Sequence, residues 1–160
     1  MDRLIELLKS NARACTDDLA KELNLTEAQV IARIAELEED GTILGYQVIV
    51  DPEKVDKNGQ VEAVIEVKIT PERGGGFDRL ASRIAQFEEV QSCYLMSGGY
   101  DLLVIVQGTT LQSIARFIAE KLSTIKGIVS TATHFRLKAY KENGVLLHRE
   151  PASQRLAVSP

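Results

Sequence analysis

Four polar side chains are spaced along one helical pattern so that they could contact the edges of DNA bases. They are Thr26, Glu27, Gln29 and Arg33. When such a helix enters the major groove, its N-terminal half meets the bases. Gln29 would pair with adenine, Arg33 with guanine or a phosphate, and Glu27 with cytosine. Thr26 would bind a phosphate through its hydroxyl or through the helix N-terminus.

Each of these residues also has a purely structural interpretation. Thr26 precedes the helix and would serve only as its cap. Arg33 lies three residues before Glu36, the spacing of a surface ion pair on a helix. Glu27 would repel a phosphate backbone instead of contacting a base. The sequence leaves both interpretations open.

The elements around this helix predict a winged helix-turn-helix. Apolar residues at helical spacing predict a first helix over residues 2–10, and Thr16 is predicted to cap a second one. Asn24-Leu25 makes a tight turn, and Gly41 ends the third helix. Residues 42–50 change to strand composition and predict the wing. The residues predicted to face inward are Leu4, Ile5, Leu8, Leu19, Ala20, Leu23, Val30, Ile31, Ile34 and Leu37.

The charge of this N-terminal part opposes its predicted role. The whole chain has a net charge of −4, but the residues through Val50 carry ten acidic and five basic side chains, a net charge of −5. Phosphate binding draws most of its affinity from Lys and Arg side chains that release counterions. One such unit is therefore predicted to bind DNA weakly, with a steep salt dependence, and to need two or more copies acting together.

The rest of the chain follows a different order: strand, helix, strand, strand, helix, strand. That order is typical of the ferredoxin-like split βαβ arrangement, an antiparallel four-stranded sheet with two helices on one face. The fold class is therefore α+β, an N-terminal winged helix-turn-helix plus a C-terminal ferredoxin-like βαββαβ sandwich. The elements are predicted at 61–70, 77–87, 90–96, 100–107, 111–125 and 128–140. The domains are predicted at 1–50, with a linker at 51–60, at 61–140, and as a tail at 141–160 with a short strand at 145–148.

The sheet face that the helices leave open is predicted to be mixed in character. Val64, Leu103 and Ile105 lie among charged residues such as Glu62 and Glu66. An apolar centre with a polar rim suits a protein partner better than bulk water. The simplest partner is a second copy related by a two-fold axis.

Several kinds of site are disfavoured by the residue types present. Cys15 and Cys93 lie far apart, and no His, Cys or acidic cluster has metal-ligand spacing. No metal, cofactor or catalytic residue is predicted. The Gly74-Gly75-Gly76 run lacks the Lys-Ser/Thr of a phosphate loop. No apolar run is long enough to cross a bilayer and no secretory signal is recognisable, so we expect a cytoplasmic protein without a membrane partner.

Seven short motifs follow one another along residues 2–140. They are Asn11-Ala12-Arg13, Asp18-Leu19-Ala20, Arg33-Ile34 with Leu37-Glu38, Gly41-Thr42-Ile43 with Gly45-Tyr46, Val50-Asp51-Pro52, Gly98-Gly99-Tyr100-Asp101-Leu102, and Thr131-Ala132-Thr133. In this order and with these separations they resemble the Lrp/AsnC family of feast/famine transcriptional regulators. The resemblance implies an amino-acid-responsive regulator that binds double-stranded DNA, as a homodimer that commonly assembles into an octamer. This chain departs from relatives that carry more basic residues along the third helix.

The resemblance also implies an effector site in the loop that contains Gly98, Gly99, Tyr100 and Asp101. By itself this loop is typical of a glycine hairpin turn in which the aspartate caps or packs locally. In relatives the corresponding loop lines an effector cleft between dimers. Glycine amides would then approach an amino acid's carboxylate, Asp101 would bind its ammonium group, and Tyr100 would wall the cleft or pack in the core. The residues implied to face the cleft from a neighbouring subunit are Thr131 and Thr133.

Two other functions remain open. Siroheme decarboxylases resemble this family in architecture, and an acidic N-terminal part suits a protein that no longer binds DNA. Such catalysis would need basic side chains gathered in the second domain, where His134 and a few arginines are the candidates. The other alternative is a metabolite-binding partner that modulates another regulator without contacting DNA.

Overall fold

The computed structural model describes residues 2–55, 59–70 and 76–147. The chain divides into two compact units, Met1–Ile49 and Val50–Pro160. We call the described part of the first unit the head and the described part of the second unit the body. The glycine run Gly74-Gly75-Gly76 lies outside these residues except for Gly76, and so does His148 at the end of the predicted tail strand.

Three helices form the head: α1 (Arg3–Ser10), α2 (Thr16–Leu23) and α3 (Glu27–Glu39). Their buried residues are Leu4, Leu8, Leu19, Ala20, Val30 and Leu37, all of which were predicted to face inward. Ile31 was predicted to be buried as well, but it is 55% exposed. The reason is that Ile31 lies one residue beyond Val30, about 100° around a helix of 3.6 residues per turn.

The helix ends in the head follow the sequence signals with one exception. Asn24 has the left-handed conformation (φ 55°, ψ 44°) in the turn before α3, as predicted. The prediction that Thr16 caps α2 is wrong, since α2 begins at Thr16 and Cys15 is in the cap position without a capping bond from its side chain. The Thr16 hydroxyl donates instead to Glu27 Oε2, at 2.8 Å.

Residues 42–50 do not form the predicted wing strand. They have no regular secondary structure, and in the described head no other segment pairs with them. Leu44 and Val48 are 94% and 82% exposed. A strand is stable only beside partners that take its backbone hydrogen bonds. Residues 42–50 have the composition of a strand, but no segment of the described head pairs with them.

The body contains one antiparallel four-stranded sheet with the order β2-β3-β1-β4, which confirms the predicted ferredoxin-like topology. Two helices cover one face, and a short helix lies within the predicted linker. The elements are α4 (Pro52–Val55), β1 (Val61–Ile69), α5 (Gly76–Ala85), β2 (Val90–Leu95), β3 (Leu102–Gly108), α6 (Leu111–Phe117) and β4 (Ile128–Phe135). The core between sheet and helices consists of Ala63, Ile65, Val67, Ile69, Leu80, Ile84, Leu102, Val104, Val106, Ile114, Phe117, Leu122 and Ile125.

The helix predicted at 111–125 is broken by a π-helical turn. After α6, residues Ile118–Leu122 form this turn, and the Ser123 N–H donates to the Ile118 carbonyl five residues earlier, at 2.8 Å. One extra residue in a turn shifts the positions that face the core. The buried residues are consequently Phe117 and Leu122, five apart in the sequence.

The last strand is shorter than predicted. It ends at Phe135 instead of Tyr140. Since β1 begins at Val61, which corresponds to Leu137 in this register, β1 offers no partner to residues 138–140. Phe135 pairs with Ala63, and one further bond joins the Arg136 N–H to the Glu62 carbonyl, at 2.9 Å. The chain then forms a small hairpin of β5 (Lys141–Glu142) and β6 (Val145–Leu146).

Candidate functional site

The start of α3 is held by a capping box between Thr26 and Gln29. The Thr26 hydroxyl accepts from the Gln29 backbone N–H at 3.2 Å, and Gln29 Oε1 accepts from the Thr26 backbone N–H at 2.9 Å. This arrangement satisfies two backbone donors that a helix end otherwise leaves without partners. Thr26 therefore caps α3, and the side-chain oxygen of Gln29 serves the same cap.

Arg33 makes the strongest set of charged contacts on α3. Its Nε and Nη2 donate to Asp2 Oδ2 at 3.3 and 3.0 Å, and its Nη1 donates to Glu36 Oε2 at 3.0 Å. The predicted pair with Glu36 is present, and Asp2 is a second partner that the sequence did not indicate. Bonds from the Leu4 backbone N–H and from Arg33 lower the pKa of Asp2, while the two carboxylates raise the pKa of Arg33.

A groove of about 430 Å³ runs along this side of the head. Gln29 and Arg33 both line it, so the structure brings together two of the four predicted DNA-contacting residues. Glu27 is not among the lining residues and is held by the Thr16 hydroxyl instead. The groove is lined by Asp2, Leu4, Leu23, Leu25, Gln29, Ala32, Arg33 and Glu36.

The surface of α3 is poor in positive charge. Arg33 is its one basic residue, whereas Glu27, Glu36, Glu38 and Glu39 are acidic. The helix positions opposite the buried Val30 and Leu37 are occupied by Ala28, Ala32, Ala35 and Glu39. Phosphate contacts from this helix would therefore depend on Arg33 and on the backbone N–H groups at its N-terminus.

Asp101 joins three strands of the body at one end of the sheet. Its Oδ2 accepts from the Ile69 N–H at 2.8 Å, and its own N–H donates to the Val67 carbonyl at 3.0 Å. Its carbonyl accepts from the Met96 N–H at 2.8 Å. Ile69 lies at an irregularity in the register between β1 and β4. The aspartate therefore has a structural role, as the hairpin interpretation predicted, but its carboxylate bonds to β1, 32 residues away in the sequence, instead of capping the turn locally.

The two glycines before it lie in open space. A Cβ atom built on Gly98 or Gly99 would meet nothing within 4 Å, and Gly98 has a φ of +152°. Both glycines are exposed, so a small ligand has access to this part of the backbone. Tyr100, which follows them, is half-buried.

Thr131 and Thr133 lie on the face of β4 that the helices cover. They pair with Val67 and Ile65, whose side chains are in the core, and antiparallel partners point to the same side of a sheet. Both threonines are half-buried, because β4 is at the edge of the sheet. They are not on the open face, where His134 Nε2 lies 3.3 Å from Glu66 Oε1.

A charged cluster at the other end of the sheet was not predicted. Arg136 Nη2 lies 2.8 Å from Glu62 Oε2, and Arg136 Nη1 lies 3.1 Å from Glu142 Oε2. Burial raises the pKa of Glu62, although the positive charge of Arg136 opposes that rise. Glu62 and Arg136 line a cleft of about 620 Å³ in the body. Sequence spacing gave no signal for this cluster, because its members come from different strands.

Within residues 2–55, 59–70 and 76–147, no group of three or more His, Cys, Asp or Glu side chains could hold a metal ion. No helix in the same residues has the length and apolar character needed to cross a bilayer.

Two family models match the chain, one in each unit. A winged helix-turn-helix DNA-binding family matches residues 3–43, and a family described as the Lrp/AsnC ligand binding domain matches residues 62–146. The second match alone covers more than half of the chain. The predicted resemblance and fold class are confirmed.

Individual proteins agree with these matches. The chain is 43% identical over 157 residues to the uncharacterised HTH-type transcriptional regulator YugG of Bacillus subtilis, covering 98% of this chain and 95% of that protein. An AsnC family transcriptional regulator from Agrobacterium tumefaciens has a TM-score of 0.68 at 27% identity, covering 91% and 96%. A transcriptional regulator from Neisseria meningitidis, solved as a complex with L-methionine, has a TM-score of 0.67 at 24% identity, covering 87% and 88%.

Proposed function

We propose that the head and the body of this chain, which belongs to the Lrp/AsnC family of transcriptional regulators, have separate functions. The head binds double-stranded DNA, and the body binds an amino acid or a related metabolite that changes this binding. One observation carries the conclusion: a DNA-binding family matches the head, and a ligand-binding family matches the body.

On the DNA side, Arg33 and Gln29 are the proposed base-contacting residues. They line one groove, and Gln29 retains its amide nitrogen for adenine although its oxygen serves the helix cap. Thr26 then sets the direction of α3 and presents its N-terminal N–H groups to a phosphate. Of the four predicted DNA-contacting residues, Glu27 is the least favourable for binding, since its carboxylate adds negative charge beside the duplex.

On the effector side, we assign the loop from Gly98 to Asp101. The amides of the exposed Gly98 and Gly99 suit a carboxylate, and the Asp101 carboxylate suits an ammonium group. Thr131 and Thr133 would contribute from a neighbouring subunit. L-methionine, which is bound in the Neisseria meningitidis regulator, is a natural first member of the panel of amino acids to be tested.

The proposed assembly is a homodimer that associates further, up to an octamer. Val64, Leu103 and Ile105 leave a partly exposed apolar centre on the open sheet face. Leu44 and Val48, in the segment 42–50 that has no regular secondary structure, are exposed in the head. Both surfaces would be covered in an assembly, and several heads acting together would offset the weak affinity of one.

The acidic head favours one second candidate, a metabolite-binding modulator that does not contact DNA. The four predicted DNA-contacting side chains all bond within the head, through contacts of Thr26, Glu27, Gln29 and Arg33. The family is one of regulators, not enzymes, and we propose no catalytic residue and a cytoplasmic location.

A selection experiment separates these candidates. The full chain would be incubated with a random duplex library, and retained DNA would be sequenced, amplified and measured by fluorescence anisotropy over a salt series. We expect a preferred sequence, a steep fall in affinity with salt, and a dimer or larger assembly by light scattering. A panel of amino acids should change the affinity or the assembly. A chain that stays monomeric and retains no DNA would favour the modulator.

A further inference from the structure

Arg33 is the one basic residue of α3, and two carboxylates accept hydrogen bonds from the two edges of its guanidinium. The Nε–Nη2 edge faces Asp2, because both nitrogens donate to Asp2 Oδ2. The Nη1–Nη2 edge is blocked by Glu36, to which Nη1 donates. An arginine contacts guanine or a phosphate in a bidentate manner with two adjacent N–H groups. Arg33 must therefore break its hydrogen bonds to one of the two carboxylates before it can bind DNA in this manner.

The two carboxylates are held very differently. Asp2 is fixed from its other side, since its Oδ1 accepts from the Leu4 backbone N–H at 3.0 Å and caps α1. Its side chain is 30% exposed, and its bond to Arg33 connects residues 31 positions apart. Glu36 lies on the same helix as Arg33, and its side chain is 65% exposed. Such an exposed pair separates at little cost.

We propose that Asp2 is a positioning residue for DNA recognition and that Glu36 is the counter-ion that Arg33 exchanges for DNA. The proposal rests on the proposed function of the head. When Glu36 leaves, the Nη1–Nη2 edge becomes free while Asp2 still holds the Nε–Nη2 edge. Arg33 then enters the major groove in one fixed orientation instead of as a flexible cation.

The same arrangement fixes the distance between two reading side chains. Gln29 is held by the capping box and Arg33 by Asp2, and both line one groove. Since each is anchored at a defined point, their spacing along the duplex is defined as well. Sequence discrimination should therefore depend on Asp2, although Asp2 itself carries the wrong charge to bind DNA.

The test compares four variants of the full chain on two duplexes, the sequence selected by the wild type and a shuffled version of it. Asp2→Asn keeps a side-chain oxygen that caps α1 but loses the charge. It should reduce the affinity ratio between the duplexes about tenfold without weakening binding to the shuffled one, because one bidentate contact discriminates by that order. Arg33→Lys keeps the charge, loses the planar fork, and should reduce the ratio similarly.

Glu36→Gln should act in a different way. It should tighten binding to both duplexes by about threefold or more at low salt, with an unchanged ratio and a steeper salt dependence. Glu39→Gln is the matched control, since it removes the same charge from α3 at a residue that is not a partner of Arg33. Its effect should be less than half that of Glu36→Gln.

Two results would overturn the proposal: an Asp2→Asn chain that keeps the wild-type ratio, or a Glu36→Gln chain that binds no more tightly than Glu39→Gln. Circular dichroism and a thermal melt establish that each variant is folded. If Asp2→Asn unfolds the head, the Arg33→Lys variant becomes the deciding test. An unchanged affinity ratio between the two duplexes in Arg33→Lys would refute the role of the fixed guanidinium. A wild-type chain that binds neither duplex refutes the proposed function itself, which is a separate outcome.

Discussion

Asp101 in the body and Arg33 in the head are held by different kinds of partner. In the body, Asp101 bonds to backbone groups of Val67 and Ile69 in β1 and of Met96, the residue after β2. In the head, Arg33 and Lys21 bond to other side chains and are 47% and 70% exposed. A sheet fixes backbone partners in place, whereas exposed side-chain pairs contribute little and separate easily. The body is therefore preformed at its candidate site, and the head has a surface that can exchange partners.

The strongest test of this comparison is the substitution Leu4→Ala. Six buried residues form the described core of the head, against thirteen in the body. Leu4 is 2% exposed, and its truncation should cost about 2–5 kcal/mol. We expect the head to unfold at a much lower temperature while the body stays folded, giving two separate transitions in a calorimetric melt. A single transition shifted as a whole would contradict the independence of the two units.

Asp101→Ala tests the preformed site in the body. The change leaves the N–H of the buried residue Ile69 without its partner and should lower the free energy of unfolding by about 1–3 kcal/mol. Asp101→Asn is the matched control, because its side-chain oxygen still accepts from Ile69. The control should remain close to the wild type in urea denaturation but lose the response to amino acids, since it has no charge for an ammonium group. If both variants respond normally, the loop is not the effector site.

Thr26→Ala should have a smaller effect, on the head alone. It removes the hydroxyl that accepts from the Gln29 N–H and should cost about 1 kcal/mol, the usual contribution of such a cap. Thr26→Ser keeps the hydroxyl and should recover most of the loss. Hydrogen exchange at the first turn of α3 measures the difference directly. Equal exchange in the two variants would show that the hydroxyl contributes nothing.

The smallest expected effect is a difference in pH dependence between the units. Burial raises the pKa of Glu62, so the folded body binds this proton more tightly than the unfolded chain does. The free energy of unfolding should consequently fall as the pH rises from about 4 towards the raised pKa. Bonds to Leu4 and Arg33 lower the pKa of Asp2, so the head should lose stability as the pH falls below about 4. Glu62→Gln should abolish the first slope in urea titrations, and an unaltered slope would contradict it.

The fold was predictable because each element carries its own local signal. The alternation of Ala63, Ile65 and Val67 is the local signal of β1, and Thr26 predicted the start of α3, whereas the part that Gln29 plays in the cap was not predicted. The prediction of a wing strand at 42–50 was wrong, because strand composition alone does not supply a neighbouring strand to pair with. The break after Phe117 was missed since a π-helical turn keeps the appearance of an ordinary helix in the sequence.

The candidate sites were predictable only where their members are close in the sequence. The pair of Arg33 with Glu36 follows from a spacing of three residues. The second partner, Asp2, lies 31 residues away, and no periodicity connects the two. Glu62 and Arg136 likewise meet only because β1 pairs with β4. Contacts of this kind depend on tertiary packing, which one sequence does not reveal.

The π-helical turn decides which residue of the last helical segment is in contact with solvent. In an uninterrupted α-helix, Lys121 would follow Ile114 and Phe117 on the inner side, where Leu122 lies in this structure. The extra residue instead places the Lys121 ammonium 5.8 Å from the ring centre of Phe87 and 6.0 Å from that of Phe117, beside Glu89. A chain shortened by one residue between Ile118 and Lys121 would bring Leu122 to this inner position in a regular α-helix, and the π-helical turn would no longer be needed to keep the same interior.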